Sequence, residues 1–404
     1  MHNIIFPLKD TTIYSKYPEV NTGLDEILEI SKEISSSNYI YRGIWSSGVY
    51  YRRYDYVSSS NGNGYYYTVA ENVSQETSSA YWVSFDPTTS NENSRILIKF
   101  DTASFDSKAY QSASVVYLNL FTSIARKVPT EYTLEAHPIS GSWEMGVGNF
   151  TDKSTTRGAT WTRNTSETNW SASGGDSTGS MASQDFNFVP TDVRMDVTNI
   201  FFEWTSSNFL NQGFLIKRPT AQENDNISYG SLSFYSLDTH TVYLPTLEVA
   251  YDDHIYNTSS FYVWNVSGSV TSVTGSVSGS LLSSGSIAVT MKRFKPEYKY
   301  NTTVRFRIDV KPSYVAKTFY EELRQGNVYY LPDSASYSIR DAYSNRIMIP
   351  FSDYTKISVD ETGHYFDVSL SGFMPERFYK TLFKVVMDGE TQYFDSDNQF
   401  KVVK

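Results

Sequence analysis

The chain has 404 residues, 40% of them hydrophobic and 16% aromatic, with only 19% charged and a net charge of −10. That length is too great for one ordinary domain. There is no cysteine, which excludes disulfide scaffolds, Cys-ligated zinc and thiol catalysis, and the acidic balance without a run of Lys/Arg argues against nucleic-acid binding.

The opening residues, MHNIIFPLKDTTIYSK, show no basic region followed by an apolar core. They predict no secretory signal and synthesis in a cytoplasm. No apolar run approaches the ~18–20 residues of a membrane span, so membrane insertion is not expected. LDEILEISKEI (24–34) has helix-compatible composition, but Ile27, Leu28 and Ile30 leave its period ambiguous.

Residues 36–84 are crowded with rings. YRGIWSSGVYYRRYDYV (41–57) is followed by GYYYTVAENV (64–73) and AYW (80–82). About 50 residues cannot build a deep aliphatic core, so aromatics supply buried area at low residue cost. The rings therefore read either as the core of a small domain or as a sticky surface. Core packing is the first reading for Trp45 and Trp82; Tyr50, Tyr51 and Tyr65 read as exposed.

From 94 to 252 short alternating segments dominate. SRILIKFD (94–101), ASVVYLNLFT (113–122), YTLEAHPI (132–139), GFLIKRP (213–219), SLSFYSL (231–237) and PTLEVAY (245–251) predict strands bounded by turn residues. The Gly/Ser/Thr-rich stretch 140–185 separates them. NIFFEWTS (199–206) predicts a short helix, with Asp196 or Thr198 as its cap. Residues 259–290, SSFYVWNVSGSVTSVTGSVSGSLLSSGSIAVT, could form a flexible linker, but the recurrent Val residues point to a tight β segment or an exposed strand that pairs with another chain. A further short helix is expected near 317–325. TVRFRIDV (303–310), NRIMIPF (345–351), TKISVD (355–360), YFDVSL (365–370), YKTLFKVVM (379–387) and QFKVV (399–403) predict an immunoglobulin-like sandwich. The class is all-β.

The order SRILIKFD, ASVVYLNLFTS, YTLEAHPISGSWEMGVG, GATWTRN, NWSASGGD, DVT with Trp204, NQGFLIKRP and LPTLEVAY resembles the DNRLRE-type β-sandwich. This jelly-roll-like domain occurs in bacterial surface proteins and phage virion proteins. FPLKDTTIYSKYPEVNTGLDEILEISK (6–32), with a turn at Pro18, Asn21 and Gly23, resembles the family's opening. The resemblance implies one domain over 1–34 plus 94–252, with 35–93 inserted, a Ser/Gly-rich segment over 253–291 and the immunoglobulin-like sandwich over 292–404. The insert resembles small chitinase-type carbohydrate-binding modules through Trp45, Tyr54-Asp55-Tyr56-Val57, Gly64-Tyr65-Tyr66 and Tyr81-Trp82. That likeness implies glycan stacking on Trp45, Tyr51, Tyr65 and Trp82. The C-terminal zone has the style of accessory sandwiches in large virion proteins.

Chemistry is sparse. None of His2, His137, His240, His254 and His364 stands in a zinc-hydrolase spacing. His240 and His254, with Asp238, Asp252 and Asp253, offer a metal cluster against the plainer reading of a solvated loop end. Gly-rich GVGNFT (146–151) and SGGDSTGS (173–180) read as loops, not phosphate cradles. Glu131, Glu135, Glu144 and Asp176 are the carboxylates available to a glycosidase pair, with Glu144 beside Trp143 foremost. NENS (91–94), GGDS (174–177) and QENDN (222–226) could offer oxygen ligands to calcium; no other cofactor is expected. These observations predict a non-enzymatic virion protein of a bacteriophage tail, baseplate or neck. Its partners would be other virion proteins in a symmetric, multi-copy assembly, with a host surface glycan as a further partner. A carbohydrate-binding adhesin is the alternative; a polysaccharide-degrading enzyme is the third reading.

Overall fold

The computed structural model describes residues 1–35, 40–52, 55–59, 65–68, 82–85, 90–105, 107–110, 114–151, 157–187, 192–225, 227–258, 261–262, 276–277, 280–282, 285–314 and 329–404. It is all-β, built of antiparallel sheets packed as sandwiches.

The first sandwich opens with β1 (His2–Ile5), β2 (Pro7–Tyr14) and β3 (Ile27–Ser35). The insert then supplies β4 (Ile40–Ile44), β5 (Asp55–Ser58), β6 (Tyr65–Thr68) and β7 (Trp82–Phe85). The sandwich resumes with β8 (Ser90–Phe100), β9 (Val115–Leu120), β10 (Thr122–Arg126), β11 (Glu131–Pro138), β12 (Ala182–Asn187), β13 (Val193–Asp196), β14 (Phe214–Lys217), β15 (Gly230–Tyr235) and β16 (Thr246–Ala250). One sheet has the order β1-β16-β9-β13. The other runs β10-β15-β3-β8-β14-β11-β12, with β2 also paired to β8.

The period-2 pattern decides which side chains meet. Val116, Leu118 and Leu120 of β9 face Leu134 and Ala136 of β11, Leu28 and Ile30 of β3, and Leu232 and Phe234 of β15 in one core. The 24–34 segment, ambiguous in period, is thus a strand. Its residues 27–35 pair with β15 and then with β8. Helix α1 (Thr198–Thr205) forms where the sequence predicted it. It buries Ile200, Phe201 and Trp204. Its N-cap is Val197, which makes no side-chain cap bond, and neither Asp196 nor Thr198 takes that place; Asp196 Oδ1 accepts from the Thr198 N–H at 3.0 Å just ahead of the helix. The short helix expected near 317–325 lies outside the described residues.

Strands β8 and β14 are buried on both faces. Ile96, Ile98, Phe214 and Ile216 enter the inner core, while Leu97 and Leu215 point outward into a second cluster with Ile13, Ile139, Trp143, Ala159 and Trp170. The long loop after β11 covers that outer face. Asn21 holds it there. Its Nδ2 donates to the Met145 and Ala159 carbonyls at 2.8 Å each, and its Oδ1 accepts from the N–H groups of Gly148 at 2.9 Å and Gly23 at 3.3 Å. All four hydrogen-bonding positions of the amide are used. Gly146 (φ +83°) leaves no room for a side chain, since a Cβ there would lie 2.3 Å from Asn21 Oδ1. The GVGNFT loop wraps an asparagine.

The second sandwich follows short pairings. β17 (Phe261–Tyr262) pairs β18 (Ser276–Val277), and β19 (Ser280–Leu281) pairs the later β23 (Tyr329–Tyr330). Its own strands are β20 (Ile287–Lys292), β21 (Glu297–Lys299), β22 (Thr303–Pro312), β24 (Ser336–Asp341), β25 (Ile347–Ile349), β26 (Ser358–Asp360), β27 (Gly363–Ser369), β28 (Phe378–Met387) and β29 (Glu390–Val403). The sheets are β20-β22-β27-β26 and β21-β29-β28-β24-β25, with β21 parallel to β29. This is the A-B-E-D and A′-G-F-C-C′ pattern of immunoglobulin-like sandwiches. Its first strand starts at Ile287, ahead of the expected boundary at 292, so part of the Ser/Gly-rich segment is a core strand.

Two further features fit that class. Tyr379, at the start of β28, accepts from the Met374 N–H at 2.8 Å and lies 3.3 Å from the Met374 carbonyl, a tyrosine corner. Where secreted members use an intersheet disulfide, rings span the core here. Tyr337 stacks on Phe366 at 4.2 Å, and Phe366 contacts Phe306 at 5.3 Å and Phe383 at 6.0 Å.

Strand β1 joins the sandwiches. Met1 and Ile5 belong to the first core, and Ile4, on the opposite face, belongs to the second. Gly372 lies against Ile4, where an added Cβ would come within 2.3 Å of the Ile4 Cβ. Ser371 Oγ donates to the Ile4 carbonyl at 2.9 Å. His2, 2% exposed, has Nδ1 2.5 Å from Glu248 of β16 and Nε2 3.1 Å from Ser352 of the second sandwich. Residues 255–257 add a parallel rung to the β26 edge, with the Val359 N–H donating to Ile255 and the Asn257 N–H to Val359. Gly372→Val is expected to expel Ile4 and cost about 1–3 kcal/mol of overpacking. Calorimetry should then resolve two transitions where the parent shows more coupled unfolding, and protease should cut sooner between 251 and 258.

Candidate functional site

The aromatic insert sits at the tip of the β3–β8 pair, where Lys32–Ser35 lie across from Ser90–Asn93. Its strands form one sheet in the order β4-β5-β6-β7, with β4 parallel to β5. Val57, Tyr51 and Trp82 are its core, and Trp45 packs against them half-buried. Tyr51 is 2% exposed and meets the Trp82 ring edge-on at 5.3 Å. Its hydroxyl accepts from the Ser46 N–H at 2.9 Å. Tyr51, expected to be exposed, is therefore core, and neither Tyr51 nor Trp82 (3% exposed) offers a face to a sugar. The reason is the turn at 47–52. Asp55, itself buried, accepts from the Arg52 N–H at 2.8 Å and the Arg42 guanidinium at 2.9 Å, and this pulls Tyr51 inward. Trp45 Nε1 is buried without a hydrogen-bond partner among the described residues. Tyr65 lies on β6, paired with Phe85; its side chain, like Tyr54, Gly64 and Tyr81, lies outside the described residues. What the insert does present is Tyr50, 69% exposed, with Ile44 and Val49 also exposed.

Three of the four carboxylates expected as a glycosidase pair hold backbone or a neighbour. Glu144 is exposed and accepts from the Ser166 N–H and hydroxyl at 3.0 and 2.8 Å. Those bonds hold its carboxyl below the usual range, the wrong direction for a general acid. Asp176 takes the N–H groups of Ser171 and Ala172. Glu135 pairs with His137 at 2.9 Å and lies 3.8 Å from Lys217. Glu131 is exposed at the start of β11. Lys9 donates to the Trp143 carbonyl and lies 4.1 Å over that indole; burial, with Lys99 nearby and Glu144 opposing, brings its ammonium down to about 8.

The histidines go to separate partners. His240 faces Glu26 at 3.5 Å and His254 faces Asp333 at 2.5 Å. They do not converge with Asp238, Asp252 and Asp253. His364 is buried, accepts from the Leu331 N–H at 3.0 Å and is pushed down to about 4 by burial, so it is neutral. The oxygen-rich stretches are likewise engaged. Asn91 accepts from Lys32 at 2.7 Å, Glu92 from Lys16 at 2.8 Å, and Glu223, on α2 (Thr220–Asn224), takes Arg95 bidentately at 2.9 and 2.7 Å. Among the described residues no group of three or more His, Asp or Glu could hold a metal ion, and no helix is long and apolar enough to cross a membrane.

One titratable group escaped the sequence reading. Asp10, 1% exposed on β2, accepts from the Leu237 N–H at 2.7 Å. Burial, opposed by that bond and aided by Asp238, pushes its carboxyl up to about 7. An Asp inside a strand pattern gives no sequence signal of this.

Two outcomes are expected. The native state holds the Asp10 proton up to about pH 7, whereas the unfolded chain releases it near ~4. Stability from this group is therefore full below ~4 and falls as pH rises through that window. Asp10→Asn keeps the acceptor and removes the charge, so thermal unfolding should show it more stable than the parent at pH 8, with the gap closing at pH 4. In the insert, Tyr51→Ala should cost about 3–5 kcal/mol and expose 40–85 to protease, while Tyr50→Ala should stay within about 0.5 kcal/mol.

No known protein family matches the chain, and no curated protein matches it.

Proposed function

We propose that the chain is a non-catalytic structural protein of a bacteriophage particle, a tail, baseplate or neck component that acts through its surfaces against neighbouring subunits. The observation that carries this reading is the strand shared between two cores. β1 feeds Ile5 to one sandwich and Ile4 to the other, which suits a strut that transmits position rather than a hinged pair of catalytic lobes. The ordered resemblance of the central sandwich to virion and surface domains supports the same reading. So does the engagement of Glu135, Glu144 and Asp176 in structural bonds. The insert stands away from the shared strand, at a hairpin tip, where a neighbouring subunit or a host ligand could reach it. Stable contacts of this kind bury roughly 1,200–2,000 Å².

A carbohydrate-binding adhesin is the second reading, favoured by the exposed ring of Tyr50 in the aromatic insert. The test is quantitative proteomics of purified particles from the source. Recovery at a multiple of six or twelve copies per particle is the expected result. Absence from every particle would overturn the virion reading, and glycan-array binding by the full chain, lost in Tyr50→Ala, would establish the adhesin.

A further inference from the structure

The two sandwiches enclose a groove beside β1. One wall is the outer face of the sheet that carries β9, β13 and β16; the other is the β24–β25 turn of the second sandwich. Its volume is about 260 Å³, and Arg346 lines both this groove and the smaller hollow next to it. Phe121 forms part of the floor, while Asn119, Thr246, Glu248 and Arg194 supply the polar wall.

Arg346 is built into place. Its guanidinium lies 4.3 Å from the Phe121 ring and 4.9 Å from the Tyr243 ring, and it donates to the Val242 carbonyl. Desolvation lowers its pKa, and Asp192 and Asp341 act on it only from a distance. Asp341 is already paired with Arg377 at 2.7 Å, and Asp192 accepts from the Thr122 N–H. Among the described residues no carboxylate forms an ion pair with Arg346. The other charges in the groove are satisfied: Glu248 is shared by His2 at 2.5 Å and Arg194 at 3.2 Å, and Arg194 stacks on Tyr117 at 3.6 Å. The groove is thus left with one desolvated and oriented guanidinium that has no ion pair among the described residues. A planar fork of this kind matches a carboxylate.

We propose that this groove binds a carboxylate-bearing sugar residue of the uronic-acid type, with the carboxylate on Arg346 and the ring hydroxyls on Asn119, Thr246 and Glu248. The polar wall favours a saccharide over an acidic peptide. Asn119 Nδ2 makes only long bonds, 3.2 Å to Thr246 and 3.5 Å to Glu248, and can turn to a hydroxyl, while the Glu248 carboxylate and the Thr246 hydroxyl can accept from further ring hydroxyls, of which a sugar has several and an acidic peptide side chain none. The volume lies just below the ~300–1,000 Å³ of drug-sized pockets, which suits one sugar ring. The groove belongs to the chain itself, so this site stands or falls separately from the particle.

The experiment titrates the full chain with glucuronate, glucose and an acidic tetrapeptide, read by saturation-transfer NMR and calorimetry. Glucuronate is expected to bind saturably in the millimolar range, with glucose and the peptide at least about tenfold weaker. Arg346→Lys keeps the charge but loses the fork, and should weaken glucuronate about tenfold at unchanged thermal stability. Should that variant unfold, Asn119→Ala, away from the guanidinium, decides instead by weakening glucuronate. Absence of saturable glucuronate binding, equal binding of glucose, preference for the peptide, or affinity unchanged in both variants would overturn the proposal.

Discussion

The molecule depends on a strand that serves two cores. A β-strand sends alternate side chains to opposite faces, and β1 uses both. Ile5 seals one sandwich and Ile4 the other. The backbone meanwhile pairs with β16 from His2 to Ile5. Moving either sandwich means withdrawing an apolar side chain from a packed interior, which costs about 1.5–3 kcal/mol for a fully buried Leu, Ile or Val. His2, on the same face as Ile4, adds direction, because it touches Glu248 and Ser352 at once. The junction is therefore a seam with fixed register, unlike the polar and mobile interface that is the default between domains.

The absence of cysteine shapes what lies on either side of the seam. Without covalent staples, the first sandwich covers its central strands twice. The inner core takes one face of β8 and β14, and the long loop takes the other. That loop has little regular structure of its own, so its backbone groups need partners from elsewhere. Asn21 supplies three of them. In the second sandwich the rings of Phe306, Tyr337, Phe366 and Phe383 take the central position. Aromatic pairs add roughly 0.5–1.5 kcal/mol each beyond area burial, enough in combination to stand in for a crosslink worth about 2–4 kcal/mol.

Most ionisable groups follow the same logic. Arg95 with Glu223, Arg377 with Asp341 and Arg305 with Asp367 are bidentate or nearly so. Such pairs fix strands and turns, and they leave few charges for chemistry. Three groups stand out against that background among the described residues. Asp10 is a buried acid with no ion pair, and Arg218 and Arg346 are guanidinium groups packed among rings with no ion pair. The first is the basis of the expected pH dependence of stability, and the last is the group on which the proposed carboxylate site rests.

Alternation by itself determined the all-β class. The six predicted strands between 94 and 251, the six between 303 and 403, and the short helix at Thr198–Thr205 were legible because periods of 2 and 3.6 are local signals; the strands Thr122–Arg126, Ala182–Asn187, Val193–Asp196 and Ser336–Asp341 were not read. The turn at Pro18, Asn21 and Gly23 was also legible, but its purpose was not, because the carbonyls that Asn21 binds lie more than a hundred residues away. The insert shows the limit most directly. Tyr50 and Tyr51 are adjacent and chemically identical, and only the turn drawn in by Asp55 decides that one is exposed and the other core. Helix or strand for 24–34 was settled by β15 and β8 on either side of it, not by its own residues. The groove around Arg346 had no sequence signature, since its walls come from Asn119, Glu248 and Arg346. Local spacing fixes which face of an element a residue occupies; what that face meets is decided by contacts between elements distant in the chain, and those exist only once the sheets have assembled.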